Sequence, residues 1–315
     1  MSGVLDIIFR LSQGVESSIM ELYTNYNQIL KDQFGARVQK ISINAGFTCP
    51  NRNGVKGWGG CTFCNNQTFF PEYCQPTKSV VQQMEEGIHF FRRYEGQLYL
   101  AYFQAYTNTY APLDELRRLY EPVLEMDKVI GLVVGTRPDC VDEQMLDYFA
   151  RLGEQCYVML EYGVESTLDR TLERINRGHT YAESEWAIRA TAERGIRTGA
   201  HIILGLPGET DEDSLSHADR LNELPLDMLK LHQLQIVKGT TLAKEWLEDK
   251  SIVKLYTMDE YIDLCVRFLQ RLKPEIGIER FISQSPKDML LAPDWGVKNY
   301  EFVDKLRARL RAMKK

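Results

Sequence analysis

Three cysteines lie close together in a glycine-rich loop near the start of the chain. They are Cys49, Cys61 and Cys64, in the segment CPNRNGVKGWGGCTFC. Three thiolates are one ligand short of a closed tetrahedral site, and an open position is where a metal centre can do chemistry. Sulfur ligands in a tetrahedral arrangement suit zinc or an iron–sulfur cluster. The three residues therefore predict a metal or cluster site with one position left for a further ligand.

The fourth ligand is either another cysteine or a molecule from outside the chain. Cys74 follows Cys64 by ten residues, beyond Pro71, and could close the site. We favour the other alternative, an exogenous ligand at the open position. A structural zinc site completed by a histidine is a third interpretation, but no histidine follows at the spacing typical of zinc ligands.

The remaining cysteines do not indicate a disulfide framework. The chain has seven cysteines, an odd number, and no signal peptide opens the sequence. Thiols in the cytosol stay reduced. Cys140, Cys156 and Cys265 fall within apolar patterns, so we expect them to act as small buried hydrophobic residues.

Composition is that of an ordinary globular protein. The chain has 315 residues, of which 44% are hydrophobic and 26% charged. No apolar stretch approaches the roughly 18 residues that span a bilayer, so we expect a cytoplasmic protein with no membrane partner. The net charge of −6 argues against a surface that is basic throughout, but it leaves room for a local basic patch.

The carboxyl-terminal segment is the most basic part of the chain. Residues 298–315 contain seven lysines and arginines against Glu301 and Asp304. Helical spacing places Phe302, Leu306 and Leu310 on one side. A charged terminal helix is most often a solvated face, and the alternative is a contact with RNA phosphates.

Apolar strand-like runs alternate with amphipathic helix-like runs along the chain. This repetition predicts an α/β fold, a partial (β/α)6 TIM-like barrel with helical extensions at both ends. The predicted domains are a helical extension at 1–36, the barrel core at 37–273 and an extension with a basic helix at 274–315. Predicted strands are 38–44, 98–104, 129–136, 157–164, 198–204 and 228–236; predicted helices are 79–94, 113–126, 142–152, 181–194, 211–222 and 259–272.

Polar motifs follow the ends of these predicted strands. In parallel barrels the loops after the strands meet at one mouth, so residues that follow different strands can share a site. Two carboxylates, Glu161 and Glu165, end the fourth strand, and we expect Arg174 and Arg177 to pair with them. The other motifs are the cysteine loop, Gln104 to Tyr110, Gly135 to Asp139 and the Gly205 to Thr210 turn.

The Cys61-Thr62-Phe63-Cys64 pair resembles the cluster loop of radical S-adenosylmethionine (SAM) enzymes. In that superfamily three cysteines hold a [4Fe-4S] cluster, and the open iron binds the amino and carboxylate groups of SAM. The usual loop has three residues between the first two cysteines, whereas this chain has eleven, a feature of particular subfamilies. The resemblance implies Cys49, Cys61 and Cys64 as cluster ligands, with the cluster and SAM as cofactors.

A second stretch, EYGVESTLDRTLERINRGHTYAE, is similar to oxygen-independent coproporphyrinogen oxidase and to the radical domain of the Elongator catalytic subunit. That resemblance implies that Glu165 meets the ribose of SAM and Arg177 its methionyl carboxylate. His201 stands where an acidic residue is usual, and Gln104 to Tyr106 replace a glycine-rich run. The implied cofactor-binding residues are Phe63, Gln104, Thr136, Glu165, Arg177, His201 and Gly205.

From YNQILKDQFGARVQKISINAGFTCPNRNG to LLAPDWG, the chain resembles the YhcC-type, Elongator-like radical proteins. The resemblance implies maturation of the wobble uridine of tRNA, from carboxymethylaminomethyl-2-thiouridine toward aminomethyl-2-thiouridine. The implied partners are tRNA and an electron donor such as flavodoxin or ferredoxin. The alternatives are a radical enzyme acting on a small molecule or peptide, or a metal-binding RNA-interacting protein without catalysis. Candidate surfaces for stacking a uridine are Tyr106, Tyr110, Tyr162 and Trp295.

Overall fold

The computed structural model describes residues 22–65, 71–104 and 106–313. Its centre is a curled sheet of seven parallel strands that forms a half-barrel, with helices packed around it. The strands follow the order β1-β2-β3-β4-β5-β6-β8, so β1 and β8 are the two edges of an open barrel. They are β1 Val38–Ile43, β2 Leu98–Phe103, β3 Val129–Thr136, β4 Tyr157–Glu165, β5 Arg197–Leu204, β6 Met228–Gln233 and β8 Gly277–Arg280.

A small antiparallel pair, β7 Ile236–Val237 and β9 Leu290–Ala292, lies outside this sheet. The helices are α1 Tyr26–Phe34, α2 Val80–Phe91, α3 Leu113–Leu124, α4 Glu143–Gly153, α5 Asp169–Arg174, α6 Tyr181–Glu193, α7 Asp211–Leu221, α8 Thr241–Glu248, α9 Met258–Arg271 and α10 Asn299–Met313. Two short 3₁₀ turns cover Pro138–Cys140 and Lys250–Ile252.

The predicted partial barrel is confirmed, and its six predicted strands match β1 to β6 within a few residues. The sixth strand ends at Gln233, earlier than the predicted 236, because Ile236 leaves to pair with β9. Strand β8 was not predicted, since its four residues include Glu279 and Arg280 and show no apolar run. This strand lies within 274–315, the segment that the sequence analysis assigned to the carboxyl-terminal extension.

Alternation along the strands divides the sheet into two faces with different chemistry. One face packs against most of the helices in a large apolar core. On the inner face, Tyr157, Met159 and Met228 pack with Tyr26 and Leu30 of α1. Further along the same strands the inner face becomes polar and leads to the carboxyl ends. Helix α1 therefore fills one end of the half-barrel and leaves the other end for a site. Residues 1–21, where the predicted amino-terminal extension begins, lie outside the described residues.

Helix starts follow the local signals in the sequence. Thr210 and Asp213 form a capping box at α7, and Thr180 and Glu183 form another at α6. Over residues 22–65, 71–104 and 106–313, no helix combines the length and the apolarity that a bilayer crossing requires.

The basic terminal helix α10 buries Phe302, Leu306 and Leu310, as its spacing predicts. Its Arg309 forms ion pairs with Asp259 and Asp263 of α9. Part of its positive charge is thus balanced within the chain, and contact with RNA by this helix stays a prediction.

Candidate active site

The carboxyl ends of the strands surround a cavity of about 230 Å³. Cys49, Cys61 and Cys64 all line it. Six of the residues predicted to bind a cofactor line the same cavity: Phe63, Gln104, Thr136, Glu165, Arg177 and His201. The seventh, Gly205, does not line it, and a Cβ added there would lie 2.8 Å from the ring of Tyr256. The fold therefore gathers residues from the cysteine loop and from the ends of β2 to β5 at one cavity.

The long cysteine loop is held in place by the turn that follows α5. The Asn51 amide is fully buried and donates to the carbonyl of Asn176. In return, the Asn176 side chain donates to the carbonyl of Gly60 at 2.8 Å. The backbone N–H of Thr62 donates to the carbonyl of Ile175 at 2.9 Å. These contacts at both ends of the eleven-residue gap give the loop a defined shape, and Asn176 was not identified from the sequence.

Arg177 connects the cysteine loop to the end of β4. Its Nη1 lies 3.5 Å from the Sγ of Cys61, and its Nη2 lies 3.6 Å from the Glu165 carboxylate and donates to the Gly163 carbonyl. Burial alone would lower the pKa of the guanidinium, but Cys61 and Glu165 outweigh it and raise that pKa. A permanently charged group thus stands between a thiol and a carboxylate at the cavity wall.

A second buried arginine supports the backbone at this point. Arg137 forms a two-point ion pair with Asp139, with both N–O distances 2.9 Å, and its Nη1 donates to the carbonyl of Arg177 at 2.8 Å. The Arg137 side chain is almost fully buried. It therefore fixes the position of the chain that carries Arg177, a role that the sequence pattern Gly-Thr-Arg-Pro-Asp did not reveal.

Two residues at the cavity have backbone angles that are unusual for side chains other than glycine. Tyr106 has φ 61° and Glu165 has φ 66°, and both line the cavity. Such conformations cost free energy and persist where the surrounding structure holds them, often at ligand sites. Gly163 completes this arrangement, because a Cβ there would lie 2.6 Å from Arg177 Nη2 and from Glu165 Oε1.

The inner end of the cavity is a buried cluster of charges centred on Glu161. Its carboxylate contacts Lys40 at 2.6 Å, Lys230 at 2.7 Å and His201 Nε2 at 3.0 Å. Glu279 pairs with the same two lysines, at 3.3 Å from Lys230. Burial raises the pKa of the Glu161 carboxyl, but Lys230 and Lys40 outweigh it and hold that pKa well below its usual range. The cluster is an internal, balanced ion-pair network.

The predicted partners of the two β4 carboxylates were only partly right. Arg177 does pair with Glu165, but Arg174 pairs with Glu245 at the surface, 2.6 Å away. Glu161 points to the inner face and pairs with lysines from β1 and β6 instead. Charged residues inside otherwise apolar strands were the sequence signal for this network, and strand pairing decided which charges meet.

Several other predicted candidates fall outside the cavity. Tyr162 is fully buried and its hydroxyl hydrogen-bonds Thr191, so its prediction as a stacking surface is wrong. Trp295 packs against Tyr261 and donates to the Tyr256 carbonyl, so it is also wrong as a stacking surface. Tyr106 does line the cavity.

The cysteines outside the site also differ in their surroundings. Cys74 is buried in the apolar core away from the cavity, and burial raises the pKa of its thiol to about 12. Cys265 is buried as predicted, whereas Cys140 and Cys156 are half-buried.

The three cysteine thiols at the cavity fit a cluster with one open corner. Within the part of the chain that the structure describes, no three His, Cys, Asp or Glu side chains are placed to hold one metal ion. The three thiols instead border a space large enough for more than an ion. Two buried polar atoms at the same cavity, Arg177 Nε and Thr107 Oγ1, have no hydrogen-bond partner among the described residues. Buried polar groups are normally paired, so these two atoms are exceptions in residues that line the cavity.

Comparison with known proteins decides the family. The sequence model of the Radical SAM superfamily matches residues 46–221. This chain belongs to the radical SAM superfamily. The model of the Radical SAM C-terminal domain matches residues 226–312 of the same radical SAM protein. As a member of the family, this enzyme uses a [4Fe-4S] cluster and SAM, which together supply reductive cleavage of the sulfonium bond and hydrogen abstraction.

Individual relatives agree with this assignment. Protein YhcC of Escherichia coli is 36% identical over 278 residues, covering 88% of each chain. The tRNA uridine(34) acetyltransferase of Methanocaldococcus jannaschii is 24% identical over 166 residues, which cover 52% of this chain and 29% of that one. Among solved structures, the archaeal Elp3 of Methanocaldococcus infernus superposes with a TM-score of 0.68 at 15% identity, covering 89% of this chain and 64% of that one. The radical SAM protein thus is similar to YhcC over nearly its whole length, and its fold is similar to that of Elp3.

Proposed function

We propose that this radical SAM enzyme matures the wobble uridine of tRNA, converting carboxymethylaminomethyl-2-thiouridine to aminomethyl-2-thiouridine. The observation that carries the proposal is that the three cysteines and the polar residues of the inner face of the half-barrel line the same cavity. The substrate is supported by relatives whose names state an action on tRNA uridine 34. The proposal includes a cytoplasmic location and an electron donor such as flavodoxin or ferredoxin.

In this proposal Cys49, Cys61 and Cys64 hold the cluster. Asn51 keeps their loop closed through its contact with Asn176 and lies 3.8 Å from the Cys61 sulfur. Arg177 remains charged beside that sulfur and stabilises its thiolate. Hydrogen bonds and burial around cluster sulfurs are the main means by which a protein adjusts a cluster's potential.

The remaining cavity residues bind and orient SAM. Arg177, whose Nε has no partner among the described residues, supplies the positive charge for the methionyl carboxylate of SAM, and Glu165 supplies an acceptor for the ribose hydroxyls. Thr107 has a hydroxyl without a partner among the described residues, and Thr136, at the end of β3, lines the same cavity and shares a hydrogen bond with Thr109. Phe63, Gln104 and His201 complete the walls of the cavity. Gly205 does not line this cavity, so its contact with a cofactor stays a prediction from the resemblance.

The experiment has two parts that separate the chemistry from the substrate. Protein reconstituted without oxygen and reduced with dithionite should produce 5′-deoxyadenosine from SAM. Nucleosides from tRNA of a deletion strain should show loss of the aminomethyl derivative and accumulation of its carboxymethylaminomethyl precursor. Complementation with the intact gene should restore the profile, while a Cys61→Ala gene should not.

The outcomes discriminate between the alternatives of the sequence analysis. SAM cleavage with an unchanged tRNA profile would contradict the tRNA substrate and favour a small molecule or a peptide. Intact SAM under strong reductant, in protein that contains a full cluster, would contradict catalysis altogether.

A further inference from the structure

A second depression, about 1210 Å³ in volume, lies on the open side of the half-barrel. It runs between the two edge strands, with Gln39 and Lys40 of β1 on one side and Glu279 and Arg280 of β8 on the other. We call it the edge cleft. Four residues line both the edge cleft and the cysteine cavity: Tyr102, Gln104, Arg280 and Ser285. The edge cleft and the cysteine cavity therefore share a wall at the open side of the half-barrel, where the Lys40–Glu279 ion pair joins the two edge strands.

The edge cleft is positively charged in a chain whose net charge is −6. The cations among its described lining residues are Lys31, Arg37, Lys40 and Arg280, and the one anion among them is Glu279. Lys40 and Glu279 pair with each other. No carboxylate of the described residues forms an ion pair with Lys31, Arg37 or Arg280. Three cations are thus available to an anionic ligand along one surface.

Uncharged groups on the same surface suit nucleotides. Amide side chains line the cleft at Asn25, Asn27, Gln28, Gln39, Gln104, Gln284 and Asn299. Gln28, Gln39 and Gln284 each donate one hydrogen bond within the chain, and an amide has a second N–H and an acceptor oxygen besides. The Tyr94 side chain also lines the cleft, is 53% exposed, and lies with its ring centre 4.7 Å from the Arg37 guanidinium. An exposed aromatic ring beside a phosphate-binding cation is the arrangement by which proteins hold unpaired bases.

We infer that the edge cleft binds a single-stranded RNA loop and leads its target nucleotide to the cysteine cavity. Lys31, Arg37 and Arg280 contact phosphates, and Tyr94 stacks a base. This inference rests on the proposed function, because it assigns the surface that the tRNA loop would occupy. An acidic peptide would use the cations but would leave the amides and the exposed ring without a purpose, so RNA is the favoured occupant.

The basic helix α10 is the alternative surface for RNA binding. In α10, Arg309 is paired with Asp259 and Asp263, and Arg307 lies over the ring of Tyr23 at 5.8 Å. These contacts occupy Arg309 and Arg307. None of the three cleft cations pairs with a carboxylate of the described residues, and the ring beneath Arg37 is itself exposed. The two surfaces can be separated by substitution.

The test measures binding of a fluorescently labelled tRNA anticodon stem–loop to the cluster-containing protein by anisotropy at several salt concentrations. The wild type is compared with Lys31→Ala/Arg37→Ala, Arg280→Ala and Tyr94→Ala. We expect the double variant to reduce the slope of log affinity against log salt by about 0.7 for each cation removed. We expect Tyr94→Ala to weaken binding about tenfold with little change in slope.

Two matched pairs serve as controls. Arg118 and Lys244 are exposed cations on other faces, and Arg118→Ala/Lys244→Ala should bind RNA as the wild type does. Lys305→Ala/Arg311→Ala removes two charges of α10 and should also change binding little. Thermal unfolding and iron content check that each variant is folded and loaded.

Each contrary result has a distinct meaning. The inference would be overturned if the cleft variants and the Arg118/Lys244 variant lost RNA affinity equally, or if the α10 variant lost more. The proposed function would stand in either case, because the wild type would still bind RNA. Absence of RNA binding by the wild type would overturn both. Displacement of the RNA by polyglutamate at equal charge would overturn the choice of RNA as the occupant.

Discussion

The Nη1 of Arg177 lies 3.5 Å from the Sγ of Cys61, and this contact joins two parts of the chain that are 116 residues apart. One part is the cysteine loop after β1, and the other is the turn that follows α5. The same guanidinium reaches the Glu165 carboxylate at the end of β4. A single side chain therefore links the predicted cluster ligand to the predicted SAM contact.

Removal of Arg177 should affect both cofactors. We expect Arg177→Ala to reduce SAM cleavage about 10–100-fold, the range seen when groups that orient metal ligands are lost. A shift in the reduction potential of the cluster should accompany this loss, because a positive charge beside a cluster sulfur disappears. Both are measured on reconstituted protein, by 5′-deoxyadenosine formation and by a redox titration followed optically.

Arg174 is the matched control for Arg177. It lies three residues earlier and its ion pair with Glu245 is at the surface. Exposed pairs contribute about 0–1 kcal/mol, so Arg174→Ala should leave potential and activity unchanged. Equal effects of the two substitutions would contradict the role of Arg177.

The ligand assignment is tested by the cysteines themselves. A [4Fe-4S] cluster gives about four iron atoms per chain and a brown colour. We expect the Cys61→Ala protein to lose the colour and most of this iron. Cys74→Ala should keep both, because the Cys74 thiol is buried in the apolar core away from the cavity. Iron analysis and absorbance after anaerobic reconstitution provide the measurement. A colourless Cys74→Ala protein would show that this thiol is a ligand.

Gly163 tests the geometry at the end of β4. A methyl group there would approach Arg177 Nη2 and Glu165 Oε1 to 2.6 Å, closer than real contacts allow, so both side chains must move. We expect Gly163→Ala to weaken SAM binding by about tenfold or more, measured by equilibrium dialysis on cluster-loaded protein. Gly153→Ala is the control, because its nearest neighbour, Val158 Cβ, is 4.0 Å away. Normal SAM binding by Gly163→Ala would mean that these side chains do not hold SAM.

The buried ion-pair network predicts a pH dependence of stability. Lys230 and Lys40 outweigh the effect of burial and keep the pKa of Glu161 well below its ordinary value of 4.5. A carboxyl with a depressed folded-state pKa contributes stability above the unfolded-state pKa, and this contribution is lost as the pH falls through the folded-state pKa. The free energy of unfolding of the wild type should therefore decrease as the pH falls below 4.5.

Urea denaturation of the cluster-free chain measures this free energy of unfolding. The cluster is left out because acid would release it and add a second change to the curve. Glu161→Gln should show lower stability at neutral pH, where two buried lysines lose a partner, and a flatter decrease toward acid. Glu95 is exposed, so Glu95→Gln should follow the wild-type curve. If the free energy of unfolding of Glu161→Gln decreased with falling pH as steeply as that of the wild type, groups other than Glu161 would control the stability in acid.

The sequence by itself determined the half-barrel and the location of the site. Apolar runs of strand length alternate with amphipathic segments, and parallel βα units have one favoured handedness, so β1 to β6 and their common mouth could be predicted. The cysteine spacing indicated the chemistry, because thiolates at short separations in a glycine-rich loop have few other uses. These features depend on local pattern, which a sequence contains in full.

The tertiary structure decided which side chains meet. Glu161 pairs with Lys40, 121 residues away, and with Lys230, 69 residues away, whereas its neighbour Arg174 turns to the surface. Strand β8 joins the sheet through hydrogen bonds to β6 although its sequence lacks an apolar run. Pairing and burial depend on distances in space between residues far apart in the chain. Local periodicity carries no information about those distances, and this is why the charge network, the Arg137 support and the edge cleft required the folded structure.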